Sequence, residues 1–290
     1  MGNYLGNITG FTVDHFRKQS YLNQFFRPDL FCLHNRWNGS EVAKLFNKST
    51  VYFTILRNPI DVLVSLWDYN GLSRAYHRSL EQFAFMEPKP MPKVIGQMFM
   101  RNTMLYDFGL DPKLMDNMTA VWNTIKEIEN TFHLVMIVEH FDESLVLLKQ
   151  LLCWEPSNFT YLKLNSHKAS TKSKLSPKGR AKLKNWLKAD FLLYDHFLAL
   201  FHKKVASFGK PEMSAELALL DKFNNASQSD CGFLQVPNEL LKPRDRWYGS
   251  GVMAYKVKEH NKHKCSMMAM DEIKFIKLLR SKQMKKLRGN

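Results

Sequence analysis

The stretch Val51-Tyr52-Phe53-Thr54-Ile55-Leu56-Arg57-Asn58-Pro59 decides the fold class. Its first six residues are mostly β-branched, aromatic or aliphatic and are of strand length. They alternate too little for a half-exposed strand, so they predict a buried, parallel one. Pro59 suits the first turn of a helix, where its missing N–H costs nothing. Ile60, Leu63, Val64 and Trp67 follow at helical spacing. A strand therefore ends on Arg57 and a helix starts within two residues. In an open parallel sheet such a junction binds ligands, because free helix N-termini offer N–H groups and positive partial charge to anions. Arg57 is placed to grip a phosphate through two parallel charge-assisted bonds, and Ser65, in the second turn of the helix, brings a hydroxyl to the same anion.

Outward from this junction the strand-to-helix pattern repeats. His133 to Glu139 reads as a second strand, running into Asp142-Glu143-Ser144 and an apolar-periodic helix to about Trp154, with Asp142 as its N-cap. Asp116 to Phe132 reads as the preceding helix, Tyr161 to Leu164 as a short strand, and Ser176 to Phe208 as one long helix opened by Ser176-Pro177. This alternation predicts an α/β core with a parallel sheet flanked by helices over residues 1–208. Beyond Gly209 the texture changes to helices at 212–224 and 271–288 around a Gly/Pro/Ser-containing middle, which predicts a helical, basic C-terminal extension over 209–290. There is no internal repeat and no long low-complexity tract.

The composition agrees with a globular chain. Of 290 residues 45% are hydrophobic, which excludes a disordered or collagen-like polymer. No run of 18 apolar residues occurs, and the sequence from Met1 to Gly6 shows neither a signal-peptide core nor the Ser or Thr that a myristoylation signal needs. The formal charge is +15, and two segments carry it: Lys163 to Lys188 has nine Lys or Arg and no acid, and Lys256 to Asn290 has eleven against three acids. These are either solvated helix faces or surfaces toward a polyanion, a membrane or a small phosphate ligand. Cys32, Cys153, Cys231 and Cys265 lack zinc-ligand spacing, so no metal is expected. Cys32 and Cys153 lie in apolar text and read as buried thiols, whereas Cys231 and Cys265 are available to pair, in a connectivity the spacing leaves open. Asn-x-Ser/Thr sites stand at Asn7, Asn38, Asn47, Asn117, Asn158 and Asn225. Chance would give roughly two, so the excess points to a lumenal, glycosylated protein.

The 51–59 motif with Ser65 resembles the 3′-phosphate-binding motif of Golgi sulfotransferases, which use 3′-phosphoadenosine 5′-phosphosulfate (PAPS) as sulfuryl donor. Four further stretches are similar to the galactose-3-O-sulfotransferase family: His34-Asn35-Arg36-Trp37-Asn38, Arg101-Asn102-Thr103-Met104 with Asp107-Phe108-Gly109-Leu110, Val138-Glu139-His140-Phe141-Asp142-Glu143-Ser144, and Tyr161-Leu162-Lys163-Leu164-Asn165. The resemblance covers roughly residues 30–205. It implies a P-loop-like sulfotransferase fold, a Golgi location, and an acceptor that is a terminal galactose on a glycolipid such as galactosylceramide or on a glycan. Family members begin with a membrane anchor and a Lys-containing loop for the 5′-phosphosulfate. Neither stands in this sequence, so the expectation is an N-terminally truncated domain, either a fragment or a shortened homologue, with little turnover alone.

Sulfuryl transfer needs a base beside the sugar hydroxyl and cations around the leaving phosphate. His34, 23 residues before Arg57, is the candidate base, since uronyl 2-O-sulfotransferases are similar in placing a catalytic histidine at nearly that distance. His140, at a strand end, is its competitor and a candidate acceptor contact. Arg57 and Ser65 are assigned to the donor's 3′-phosphate, Lys163 and Asn165 to the donor or acceptor pocket, and Arg101 with Asn102 to the sugar. The alternative class is a non-catalytic basic module that binds nucleic acid or sulfated glycans through the Lys-rich segments. Trp186 and Phe191 fall on the apolar face of a helix rather than between lysines as stacking platforms, so no nucleic-acid partner is expected.

Overall fold

The computed structural model describes residues 11–14, 30–32, 35–89, 100–164, 173–242, 246, 252–258 and 263–287. His34 and Asn165 lie outside them, as does the sequon at Asn7. In chain order the main elements are α1 (Gly39–Val42), β1 (Phe53–Leu56), α2 (Pro59–Tyr69), α3 (Leu72–Tyr76), α4 (Leu80–Ala84), α5 (Thr103–Asp107), α6 (Met118–Thr131), β2 (Leu134–Ile137) and α7 (Phe141–Leu152). After these come α8 (Pro177–Trp186), α9 (Lys188–Phe208), α10 (Lys210–Cys231), β3 (Leu234–Pro237), β4 (Met253–Lys256), α11 (His263–Met268) and α12 (Glu272–Leu287). The protein is a mixed α/β chain in which many helices surround a small parallel sheet.

Strands β1 and β2 pair in parallel, Phe53 opposite Leu134 and Leu56 opposite Ile137. All four β2 residues are buried, and alternation sends them to two cores. Val135 and Ile137 join Val121, Ile125 and Ile128 of α6 and Leu193, Phe197 and Phe201 of α9. Leu134 and Met136 meet Leu148 of α7 on the opposite face. This two-sided cover explains the unbroken apolar text of β2, each such side chain contributing about 1.5–3 kcal/mol on burial. β1 departs from expectation: Leu56 is buried, but Ile55 is 38% exposed, so this strand is covered on one face only.

Helix α2 starts as its sequence dictates. Asn58 caps it, accepting from the Ile60 N–H at 3.1 Å, and Pro59 occupies the first helical position. Its buried face of Ile60, Leu63 and Trp67 packs with Phe83 of α4, with Leu183 and Leu187, and with Phe191.

Three expected elements come out differently. Asp142 does not cap α7; that helix begins at Phe141, after a short 3-10 turn over Val138–His140. Ser144 ties it to β2, accepting from the Ile137 N–H at 3.0 Å and donating to the Ile137 carbonyl at 3.1 Å. The Ser176 to Phe208 helix is two helices broken at Leu187 (φ −98°, ψ 24°). Before the break Leu183 and Leu187 face α2; after it Phe191 still packs with α2, while Leu193 and Phe197 face β2. Residues 161–164 form no strand; Leu162 and Leu164 pack instead on the C-terminal segment.

That segment is not purely helical. β3 and β4 pair antiparallel, Leu234 opposite Lys256, behind α10. Cys231 and Cys265 are disulfide-bonded, joining the end of α10 to α11. Cys32 and Cys153 are exposed, correcting the expectation of buried thiols; Cys153 lies in the left-handed position that ends α7, where the chain turns outward. The bond closes a sequence separation of 34 residues, so Cys231→Ser is expected to lower unfolding stability by about 2–4 kcal/mol in urea melts of the oxidised protein. Equal midpoints and slopes for variant and parent would contradict this. Among the described residues, no helix is long and apolar enough to cross a membrane.

Candidate active site

The carboxyl ends of β1 and β2 lie side by side and deliver Arg57 from one and Glu139 with His140 from the other. Glu139 holds the two ends together. Its Oε1 accepts from the Asn58 N–H at 2.8 Å and its Oε2 from the Tyr194 hydroxyl of α9 at 3.1 Å. Burial, then the Glu139 carboxylate, pushes the Tyr194 phenol above its ordinary range.

This geometry revises how an anion would be held. The Asn58 N–H is spent on Glu139 and the Ile60 N–H on the cap, so the α2 N-terminus is not the open cluster of donors its sequence suggests. The grip falls to side chains. Among the described residues Arg57 makes no side-chain hydrogen bond or ion pair, and the half-buried Ser65 hydroxyl has no partner either. The basic segment lies along the same helix: Arg180 of α8 is 3.6 Å from Asp61, and Ser173 binds the Asp68 carboxylate through its N–H at 3.0 Å. Lys174, Lys178, Lys182 and Lys184 stay exposed there.

The other candidates separate from this cluster. Lys163 is exposed, with its carbonyl accepting from the Tyr255 hydroxyl at 3.5 Å. Arg101 forks onto Asp116, with a 2.8 Å bond from Nη1 and a second from Nη2, and donates to the Trp186 carbonyl at 3.2 Å. Asn102 is 1% exposed and accepts from the Asp190 N–H at 3.1 Å. In return the Asp190 carboxylate takes the Met104 and Leu105 N–H groups at 3.1 and 2.9 Å, satisfying the start of α5. Arg36, stacked 4.5 Å over Tyr106, donates to the carbonyls of Tyr106, Gly109 and Leu110 at 2.9–3.0 Å. Gly109 has φ +96°, and a Cβ there would stand 2.7 Å from the Trp37 carbonyl, so only glycine lets the two segments approach. Both residues assigned to the sugar thus have protein partners: Arg101 is held by Asp116 and Trp186, and the enclosed Asn102 by Asp190.

Beyond Glu139 opens a cavity of about 410 Å³ between the start of α7, Tyr161 and the α10 face that carries Leu217, Asp221 and Asn224. His140 lines it, its Nδ1 2.7 Å from Glu143 Oε2 and its ring against Phe201 and His202. The Tyr161 hydroxyl donates to Asp142 Oδ1 at 2.6 Å, and burial followed by this carboxylate pushes the phenol upward. Of these residues, the sequence motifs covered Glu139 to Glu143 and Tyr161, with His140 alone named as a site candidate, and missed the α10 face. Leu217, Leu220, Asp221 and Asn224 recur at helical spacing on one stripe, and that mixture of apolar and polar positions was the available signal.

A family model described as Galactose-3-O-sulfotransferase matches residues 10–283. The chain belongs to the galactose-3-O-sulfotransferase family. It is 30% identical over 277 residues to human galactosylceramide sulfotransferase, covering 88% of this chain and 66% of that one. It is 30% identical over 277 residues to mouse galactose-3-O-sulfotransferase 2 (90% and 70%) and 32% identical over 279 residues to human galactose-3-O-sulfotransferase 3 (88% and 64%). The chain thus spans just under two thirds of the length of galactosylceramide sulfotransferase. No solved structure matches it. In this family member the matched region runs through the β3–β4 hairpin and most of α12, well past the 30–205 stretch that the motifs cover.

Proposed function

We propose that this chain carries the 3′-phosphate grip and the acceptor side of a PAPS-dependent galactose 3-O-sulfotransferase that works in the Golgi lumen on a terminal galactose of a glycolipid or glycan. The observation that supports it is Arg57: a guanidinium at the carboxyl end of a parallel strand, without a protein partner among the described residues, with the unpartnered hydroxyl of Ser65 two turns into the helix that follows. A half-buried guanidinium and hydroxyl left unspent suit an anion from outside. The sheet with its strand-to-helix junction is compatible with a P-loop-like sulfotransferase fold.

In the reaction, the sugar 3-hydroxyl oxygen forms a bond to sulfur while the sulfur–oxygen bond to the donor's 5′-phosphate breaks. Arg57 and Ser65 hold the nucleotide by its 3′-phosphate, so that sulfur is presented in a fixed position. The hydroxyl proton passes to a base, for which His34 is proposed, as a neutral imidazole at near-neutral pH. Glu139, by locking Asn58 to the end of β2, fixes the turn from which Arg57 projects.

The test is thermal protection by 3′-phosphoadenosine 5′-phosphate, the product that retains the 3′-phosphate. At a hundredfold excess over its Kd it should stabilise the protein by about 2.7 kcal/mol. Arg57→Ala should weaken binding about 10- to 100-fold and remove most of the shift. Equal protection of parent and Arg57→Ala by heparin or DNA would overturn the transferase reading in favour of a general polyanion binder.

A further inference from the structure

The cavity beside Glu139 has the shape and chemistry for a guest unlike the nucleotide. Its volume of about 410 Å³ falls in the range of small-molecule sites, about 300–1,000 Å³. Phe141, Leu217 and Leu220 supply apolar lining, and the polar lining is mostly carboxylate, Glu139, Asp142, Glu143 and Asp221, with His140, Tyr161 and Asn224. Among the described residues the only ion-pair partner of these four carboxylates is His140, on Glu143. A phosphate or sulfate would meet this field with repulsion, so the donor is excluded. A metal ion is disfavoured by placement, because among the described residues no three His, Cys, Asp or Glu side chains converge as ligands.

What remains unspent on the lining is suited to hydroxyl groups. Glu139 has both oxygens engaged, and Asp142, Glu143 and Asp221 each have one hydrogen-bonded. The second oxygen of each is an acceptor for an O–H donor. Asn224 uses its Oδ1 to accept from the Tyr161 N–H at 3.0 Å, which leaves its amide as a donor. A pyranose has this pattern turned inside out, with a rim of hydroxyls that donate and a C–H face for an apolar wall. Glu139 is also the group bonded to Asn58, the residue after Arg57, so an occupant of the cavity borders the proposed donor grip.

We infer that the cavity between the start of α7, Tyr161 and the Leu217–Asn224 face of α10 is the acceptor subsite, which binds an uncharged terminal hexose through Asp142, Asp221 and Asn224. This rests on the transferase reading for its choice of galactose but on the cavity's own chemistry for its class of ligand. It gives His140 a place in the acceptor pocket and distances that pocket from Arg101 and Asn102.

The probe is methyl β-D-galactopyranoside, followed by saturation-transfer NMR titration on the full chain. Leu217→Trp fills the cavity from its apolar wall, and Asp221→Asn removes one acceptor charge from an exposed position with little risk to folding. Both are expected to weaken galactoside binding at least tenfold while leaving protection by 3′-phosphoadenosine 5′-phosphate as in the parent, which also reports that each variant is folded. No binding by the parent, or affinities in both variants within twofold of it, overturns the assignment. So does protection by millimolar calcium that Asp221→Asn abolishes, since the cavity would then be a cation site. Galactoside binding that behaves as expected with no nucleotide protection in the parent would instead remove the transferase reading and leave the sugar subsite standing.

Discussion

Asp190→Ala is expected to cost about 3–5 kcal/mol of unfolding stability, although the residue lies outside every proposed site. Its carboxylate is 2% exposed and is the partner of the Met104 and Leu105 N–H groups. Alanine leaves two buried donors orphaned, each costing about 1–3 kcal/mol, and opens a void beside Asn102, whose Nδ2 already lacks a partner. For a chain of this size that corresponds to a fall in Tm of about 10 °C. A loss under 1 kcal/mol would mean that water or a shifted α5 replaces the carboxylate. The same group carries a pH signature. Burial, opposed by its two backbone bonds, raises the Asp190 pKa to about 7, and burial likewise raises the neighbouring Asp107 to about 7 against the pull of Arg36. A carboxyl whose folded pKa lies above its unfolded value holds its proton better when folded. Its contribution is therefore present at acid pH and is lost as pH rises from about 4 to about 7. Exposed carboxylates such as Asp116, held low by Arg101, act in the opposite sense, so the informative quantity is a difference. Urea melts should show the parent losing stability relative to Asp190→Asn between pH 4 and 7; parallel profiles would remove Asp190 as the origin.

How much of this was legible depends on the range of each interaction. The strand–Arg57–helix junction was readable because all its determinants are local: an apolar run, Pro59 at the first helical position and an Asn58 cap two residues from its target. β2 was readable for the same reason. The break at Leu187 was not, since Ser176 to Phe208 keeps helical periodicity throughout and has no proline or glycine at the break. The β3–β4 pair escaped because, unlike the equally short β2, its strands Leu234-Gln235-Val236-Pro237 and Met253-Ala254-Tyr255-Lys256 are not unbroken apolar runs. At the site, the residue types were visible but their partners were not. Glu139 was read as the last residue of a strand, and its bond to Asn58 spans 81 positions. Arg101 and Asn102 looked like sugar contacts because polar residues in a family motif are easily read as functional. Their bonds to Trp186 and Asp190, 85 and 88 positions away, show that a motif can equally mark a junction between distant segments.

In a protein that joins this chain to a family 5′-phosphosulfate loop, His34→Ala is expected to reduce sulfation of a galactoside by PAPS about 10²- to 10⁴-fold, the usual contribution of a positioned general base. The comparison that gives this meaning is His140→Ala. His140 is fastened by Glu143 and packed against Phe201 and His202, with its ring lining the cavity, so its position suits holding an acceptor. Its loss should therefore act mainly on KM for the galactoside. Loss of His34 should act on kcat and leave KM near that of the parent, because a base that takes the proton only as the bond to sulfur forms contributes to the transition state and little to the ground state. An acidic limb in the pH dependence of kcat, set by protonation of an imidazole whose ordinary pKa is about 6.5, should disappear with His34 and persist without His140. If instead the limb and kcat vanish in His140→Ala while His34→Ala turns over within tenfold of the parent, the two histidines exchange roles. The base would then sit at the end of β2, inside the cavity assigned to the sugar and next to Glu139, with the Arg57 grip on the nucleotide unchanged.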